Sequence, residues 1–578
     1  MSSRRGIFLV LLLIFLGTLA SIAGWIFLSF TTAPPPSVPS NAALYLPIQA
    51  PFGELEANDV LSTLVRRPPT LRQTVEAIRK AKIDARVKTL VITPQASGAL
   101  WGQLQEIRGA IEDFKTSGKP VTAYLEAGGA QEYYLASAAD RVVMMPAGQL
   151  DLVGLAFYEL FFRGTLDKIG VYPDLLHIGD YKTASNNFTE KTFTPAHREM
   201  YQSLNRDWYN ELVRAIAVGR KRSEDEVRRL LDDGPYLASG ALKAGLVDAL
   251  GYEDQLDDAA PLAGTRRIDA DTYARVPRPL TERVSGARIA VLYAVGTIAS
   301  GRSSFDGPGG NVLGSETFVE WVRKVRVDPS VRAIVVRIDS PGGSAIASEV
   351  MWRELMLARD IKPVVVSMGD VAASGGYYMA LPAHTIVAQP GTITGSIGVV
   401  TGKMVLKGTL DKIGVGAEAV SEGRLAEIYS PFKPFSPEER ARIAEQMRAT
   451  YDLFLSRVAE GRQQPAARID PVAQGRVWTG RQARERGLVD ELGGLDRAIQ
   501  IAKEKARLDA KKDVDLLVYP PRRSLFDILA NPFGASVRSG LDLFLRRPDA
   551  QAVESALTTL KRFRRGELLY LMPNVLWR

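Results

Sequence analysis

The octapeptide Gly164-Thr-Leu-Asp-Lys-Ile-Gly-Val171 returns unchanged as Gly408-Thr-Leu-Asp-Lys-Ile-Gly-Val415. Eight identical residues at a separation of 244 within one chain mark an internal duplication. The same shift compares every other residue with its counterpart. Ser374, in Val371-Ala-Ala-Ser-Gly-Gly-Tyr-Tyr378, falls on Ala130, and Tyr377-Tyr378 fall on Tyr133-Tyr134. Lys182, in His177-Ile-Gly-Asp-Tyr-Lys182, falls on Ala426. One half keeps the serine without the lysine, and the other keeps the lysine without the serine.

Strand and helix patterns alternate in both halves. Arg288–Val295, Ala333–Ile338 and Pro363–Met368 read as buried strands, with a helix over Ala345–Arg359 between the last two. The first half repeats the order with Thr89–Ile92, a helix over Trp101–Lys115, and Val121–Leu125. Such alternation predicts an α/β fold, a largely parallel sheet with flanking helices, built twice. Each half closes on one phrase, Gly245-Leu-Val-Asp248 and Gly487-Leu-Val-Asp490, so two residues were lost between the copies. The expected domains are an anchor at 1–30, a Pro-rich spacer at 31–44, a first repeat at 45–260, a connector at 261–286, a second repeat at 287–505 and a basic tail at 506–578. The tail is expected to have no counterpart in the duplication.

The chain has 578 residues and no cysteine, which excludes disulfides, a thiolate nucleophile and Cys-ligated metal. Its three histidines, His177, His197 and His384, argue against a multi-histidine metal site. Residues 6–30 hold no charge and as a helix extend roughly 37 Å, enough to span a bilayer with tilt. Arg4 and Arg5 in front of them predict a cytoplasmic N-terminus with the bulk of the chain on the far side. The apolar run continues past Ala20, Ser21 and Ala23, which favours an uncleaved anchor over a cleaved leader. From Pro521 to Arg578 ten Lys/Arg meet five Asp/Glu, a local charge of +5. Beside an anchor, this charge and the apolar Leu568-Leu-Tyr-Leu-Met572 predict contact with lipid or a neighbouring subunit. No nucleic-acid motif accompanies the charge.

Ser374 follows a predicted strand, with two alanines before it and two glycines after it. Small neighbours permit a tight turn and close approach of a substrate backbone. The Gly375 amide then points at developing negative charge. A helix N-cap is the alternative use of a serine here. Asp339-Ser-Pro-Gly-Gly-Ser344 ends the neighbouring strand, and its glycines offer further backbone amides at the same crevice. The hydroxyl needs a base. Lysine serves if neutral, which near pH 7.5 requires pulling its pKa about three below ~10.4, roughly 4 kcal/mol of differential solvation. Burial supplies that. Lys182 is the candidate because it holds the slot complementary to Ser374 in the duplication; the histidines fit this role less well.

At these residues the chain resembles the signal peptide peptidase A family in its long bacterial form, Ser-Lys proteases on a Clp/crotonase-type fold. The resemblance rests on Asp339-Ser-Pro-Gly-Gly-Ser344, Ala373-Ser-Gly-Gly-Tyr377, Thr394-Gly-Ser-Ile-Gly-Val399 and Gly179-Asp-Tyr-Lys-Thr-Ala184, in that family's order behind an anchor. It covers roughly residues 45–505. It implies Ser374 as nucleophile, Lys182 as general base, Gly375 and Gly343 as oxyanion donors, and Ser396 as the serine holding the lysine. It further implies tandem Clp/crotonase-like domains, no cofactor or metal, a homo-tetramer, and cleaved signal peptides as substrates at the extracytoplasmic face of the bacterial inner membrane. A crotonase-like acyl-CoA enzyme and a non-enzymatic membrane scaffold are the rival readings. Sequence leaves open whether Ser374 and Lys182 meet within one chain or between chains.

Overall fold

A computed structural model of the chain describes residues 14–15, 17–18, 21, 36–55, 69–258, 260–277, 283–304, 310–510, 512–521, 567–572 and 576–577. Among them no helix is long and apolar enough to cross a membrane. The anchor read over 6–30 lies, but for five residues, outside the described residues, as does the basic run Lys561–Arg565.

The elements used below are, in chain order, β1 (Ala42–Gln49), β2 (Val87–Gln95), α1 (Trp101–Lys115), β3 (Val121–Leu125), α2 (Ala130–Ala136), β4 (Arg141–Met144), β5 (Tyr172–Ile178), α3 (Pro195–Arg220), β6 (Ala249–Leu250) and β7 (Arg266–Asp269) in the first half. The second half holds β8 (Arg283–Val295), β9 (Val331–Ser340), β10 (Gly342–Ser344), α4 (Ala345–Arg359), β11 (Val364–Ala373), α5 (Gly375–Ala380), β12 (Thr385–Ala388), β13 (Val399–Val405), α6 (Pro437–Arg462), β14 (Glu491–Leu492), β15 (Asp513–Tyr519) and β16 (Leu569–Leu571).

Two parallel sheets follow one plan. The first runs β7-β1-β2-β3-β4-β6 and the second β15-β8-β9-β11-β12-β14, parallel at each of these steps. β9 reads Val331-Arg-Ala-Ile-Val-Val-Arg-Ile338 with both faces buried, as helix-covered parallel strands require. The α/β expectation is met. The duplication extends to individual hydrogen bonds. Tyr133 Oη donates to the Leu246 carbonyl at 2.6 Å, and Tyr377 Oη to the Leu488 carbonyl at 2.9 Å. Asp248 accepts from the Val142 amide and Asp490 from the Ile386 amide, each at 2.7 Å. α3 and α6 both begin with a proline behind a capping hydroxyl, Thr194 or Ser436. Both end in a left-handed residue, Lys221 or Gln463.

Two features depart from the sequence reading. The stretch read as connector, 261–286, supplies the edge strand β7, and the stretch beyond 505 supplies β15, which pairs with β8 as β7 pairs with β1. Short edge strands have weak sequence signals, so the repeat looked truncated. In the tail, Leu568–Met572 packs against the chain's own strands β10 and β13 rather than standing free for lipid. An apolar run of five residues satisfies a strand slot as well as a bilayer, and sequence does not tell them apart.

Among the contacts that join the halves, three lie close to the loops singled out in the sequence. β5 of the first half pairs antiparallel with β13 of the second over seven residues, Tyr172↔Val405 to Ile178↔Val399. Arg337 on β9 is 1% exposed and reaches Glu54 and Glu106 of the first half, each at 2.7 Å. α1 has no cap of its own, and Asp370 at the end of β11 accepts from its Gln103 amide at 2.8 Å. Removing one partner of a buried ion cluster leaves uncompensated charge, at a cost of about 3–5 kcal/mol. Arg337→Leu, which strands Glu54 and Glu106 in the interface, is therefore expected to lower unfolding free energy by about that amount in urea melts, the loss shrinking when Glu54→Gln and Glu106→Gln are added.

Candidate active site

The β5–β13 pairing decides where Lys182 goes. β5 ends at Ile178, and Gly179 then turns with φ 98° against Gln474, whose carbonyl accepts from the Tyr181 amide at 3.0 Å. A Cβ at Gly179 would fall 2.3 Å from that carbonyl. Gly475, at φ 76°, lies under Lys182 so closely that a Cβ there would fall 2.4 Å from the lysine's Cβ and amide. Only glycine fits either position. The turn sends the lysine side chain into the second half.

Ser374 stands between the end of β11 and the first residue of α5 with φ 55° and ψ −111°, a conformation that non-glycine residues rarely hold. Its amide donates to the Gly395 carbonyl at 2.7 Å, and its side chain caps nothing, so the N-cap alternative is not the geometry found. Ser396, φ 54°, is held similarly, its amide donating to the Arg476 carbonyl at 2.7 Å.

Within one chain Lys182 Nζ lies 2.7 Å from Ser374 Oγ, 2.8 Å from the Ser396 carbonyl and 3.0 Å from Ser396 Oγ. All three residues are fully buried. None of these contacts is a carboxylate, so an ammonium here would be buried without a counter-charge. Burial accordingly holds the Lys182 amine well below its usual 10.5. A neutral amine suits the set: its two N–H groups donate to Ser396, and its lone pair accepts the Ser374 hydroxyl proton.

Gly375 opens α5 beside Gly342 and Gly343 on β10. A Cβ on Gly375 would fall 3.3 Å from the Gly343 nitrogen and 2.6 Å from Ser348 Oγ, and one on Gly342 would fall 2.7 Å from the Gly375 nitrogen. Side chains at these positions would fill the space where two backbone amides approach one another. None of the three histidines is hydrogen-bonded to Ser374. His384 Nδ1 accepts from the Val364 amide at 3.1 Å, His177 contacts the Gly179 carbonyl, and His197 lies among Phe161, Phe193 and Tyr201.

Sequence reading marks Asp370 as the carboxylate nearest Ser374 and Asp339 as the first residue of the glycine motif, but not what either one binds. Asp339 Oδ1 accepts from the Val371 amide at 3.0 Å, tying the start of the glycine loop to the strand that carries Ser374. Burial, then the charge of Glu54, pushes Asp339 up to about 7. Burial, then the charge of Asp339, pushes Asp370 well above the carboxylate range. Their position at adjoining strand ends was visible in sequence; the burial of Asp370 and half-burial of Asp339 were not.

The profile of peptidase family S49 matches the chain twice, at residues 113–263 and 357–509. The chloroplastic serine protease SPPA of Arabidopsis thaliana is 35% identical over 501 residues, covering 85% of this chain and 74% of that protein. Protease 4 of Salmonella typhi is 35% identical over 506 residues, covering 85% and 80%. Protease 4 of Haemophilus influenzae is 34% identical over 525 residues, covering 86% and 84%.

Asp339 and Asp370 bind protons more tightly folded than unfolded. Their contribution to stability is complete below the unfolded value near ~4 and is lost as pH rises, through about 7 for Asp339 and in the same direction for Asp370. Asp370→Asn keeps an acceptor for the Gln103 amide and removes one charge. Urea melts from pH 5 to 9 should show wild-type stability falling across this range and the variant falling less steeply; parallel curves would contradict the assignment.

Proposed function

The chain belongs to peptidase family S49 and is a serine protease, and from that premise we propose that it hydrolyses peptide bonds through a dyad of Ser374 and Lys182. The observation that carries this reading is the 2.7 Å approach of a buried amine, drawn from one repeat, to a hydroxyl drawn from the other. In the proposed reaction neutral Lys182 takes the Ser374 proton as Oγ attacks the carbonyl carbon. The Gly375 and Gly343 amides stabilise the oxyanion. The Lys182 ammonium then protonates the leaving amine, and water, activated by the same lysine, releases the acid. Ser396 holds the amine in line throughout by its hydroxyl and carbonyl.

Hydrophobic membrane-released peptides, cleaved signal peptides above all, are the proposed substrates. The uncharged run at 6–30, with Arg4 and Arg5 before it, supports a single-pass anchor in the bacterial inner membrane and a catalytic body outside the cytoplasm. A homo-tetramer is proposed on the exposed Ile169, Ile413 and Val415, within the two copies of the repeated octapeptide where these copies touch, and on the exposed Tyr172 just after the first copy. Sedimentation of the detergent-solubilised protein tests it.

Ser374→Ala and Lys182→Ala are each expected to cut kcat by about 10⁴-fold on a peptide substrate, because members of such a unit fail together. Ser396→Ala should cost about tenfold, the worth of one hydrogen bond of roughly 1.4 kcal/mol. Wild-type kcat/KM should rise with pH through an ionisation lying well below 10.5, since the base works deprotonated. Full activity in either alanine variant of the dyad would overturn the reading.

A further inference from the structure

Three consecutive residues, Gln474-Gly475-Arg476, meet the lysine's turn on one side and the Ser396 loop on the other. The Gln474 carbonyl accepts from the Tyr181 amide at 3.0 Å, and Gly475 lies under Lys182. The Gly475 amide donates to the Ile397 carbonyl, and the Arg476 carbonyl accepts from the Ser396 amide, each at 2.7 Å. The strand that follows, Val477–Thr479, pairs antiparallel with Ile393–Gly395, the strand leading to Ser396, with Trp478 opposite Thr394.

The proposed reaction draws only on the backbone of this segment, yet the Arg476 side chain crosses the same junction. Its guanidinium carbon lies 4.7 Å from the centre of the Tyr181 ring, the residue before Lys182, and 4.2 Å from the centre of the Trp478 ring. Its outer nitrogens donate to the two carboxylate oxygens of Glu199 on α3, at 2.7 and 2.8 Å. Tyr181 and Glu199 belong to the first half, and Trp478 to the second. The Glu199 side chain is 52% exposed, and an ion pair so open to water holds weakly. A flat guanidinium on aromatic faces is a firmer guide to geometry, and lysine does not reproduce it.

We propose that Arg476 is a positioning residue for the general base: by contacting Tyr181 and Trp478 together it holds the Lys182 turn against the Ser396 loop, and so keeps the amine in line with Ser374. The inference rests on the Ser374–Lys182 reading and deepens it. Arg476 acts through Lys182 rather than on the reacting atoms. Without it the turn slackens, and two consequences follow. The amine drifts from the Ser374 hydroxyl, which slows the chemical step. The amine also regains contact with water, so its ionisation climbs back towards that of an ordinary lysine.

The test compares the full-length wild type with Arg476→Ala, Arg476→Lys, Glu199→Gln and Ser374→Ala, each assayed on an apolar peptide over a range of pH. Arg476→Ala is expected to lower kcat by about 10- to 100-fold with KM little changed. The rising limb of its kcat/KM profile should move to higher pH. Arg476→Lys keeps the charge but loses the flat face, and should change both quantities in the same direction by less. Glu199→Gln keeps an acceptor and should move neither. A slower Arg476→Ala whose pH limb stays at the wild-type position would mark a merely structural role and overturn the proposal. Wild-type kcat and pH limb in Arg476→Lys would overturn it too, and this variant decides the matter if the alanine protein does not fold. So would a Glu199→Gln protein that reproduces the loss, since charge pairing would then be the cause. Full activity in Ser374→Ala would bring down the dyad reading itself, whereas an unmoved limb in Arg476→Ala beside an inactive Ser374→Ala counts against the role of Arg476 alone.

Discussion

A primary amine buried with no carboxylate among its hydrogen-bond partners is the constraint on which the site depends. Lys182 loses its hydration and gains only Ser396 and the Ser374 hydroxyl. The neutral form is thereby preferred, and no histidine is required to make a base. The arrangement also explains the close packing around it. A side chain at Gly475 would meet the lysine itself, and one at Gly179 would meet the Gln474 backbone that holds the turn.

Neither half holds this arrangement alone. The first brings the lysine on the turn after β5, and the second brings Ser374, Ser396 and the glycine loop. Their alignment then depends on what joins the halves, including the seven-residue β5–β13 ladder, the Arg337 cluster and the capping of α1 by Asp370. Asp370 lies four residues before Ser374, and Asp339 begins the glycine loop while binding the strand that leads to Ser374. Because Lys182 and Ser374 come from opposite halves, a change that loosens the halves also shifts the hydroxyl relative to the amine. A 1 Å displacement of reacting groups is enough to cost orders of magnitude in rate.

The end of the chain adds a second layer. β15 completes the second sheet as β7 completes the first, so part of the tail belongs to the repeat. β16 has a different position, wedged between the glycine loop and β13 with Tyr570 against Tyr378 and Phe454. It is paired on both sides and carries one deeply buried ring.

The sequence by itself determined the duplication, the α/β alternation, and the pairing of a retained serine with a retained lysine. These are properties of order along the chain: an exact octapeptide, strand and helix periods, and a shift that maps Ser374 onto Ala130 and Lys182 onto Ala426. The helices at Trp101–Lys115 and Ala345–Arg359 were legible to the residue because apolar periodicity marks them. Tertiary structure alone decided that the serine and lysine meet inside one chain, that Asp370 is buried and Asp339 half-buried at adjoining strand ends, and that the apolar run at 568–572 pairs with β10 and β13. Each depends on which surfaces face one another across hundreds of residues, and linear periodicity carries no record of that. A buried carboxylate and a solvated one are written with the same letter, and so are an apolar strand bound for a lipid and one bound for a protein groove.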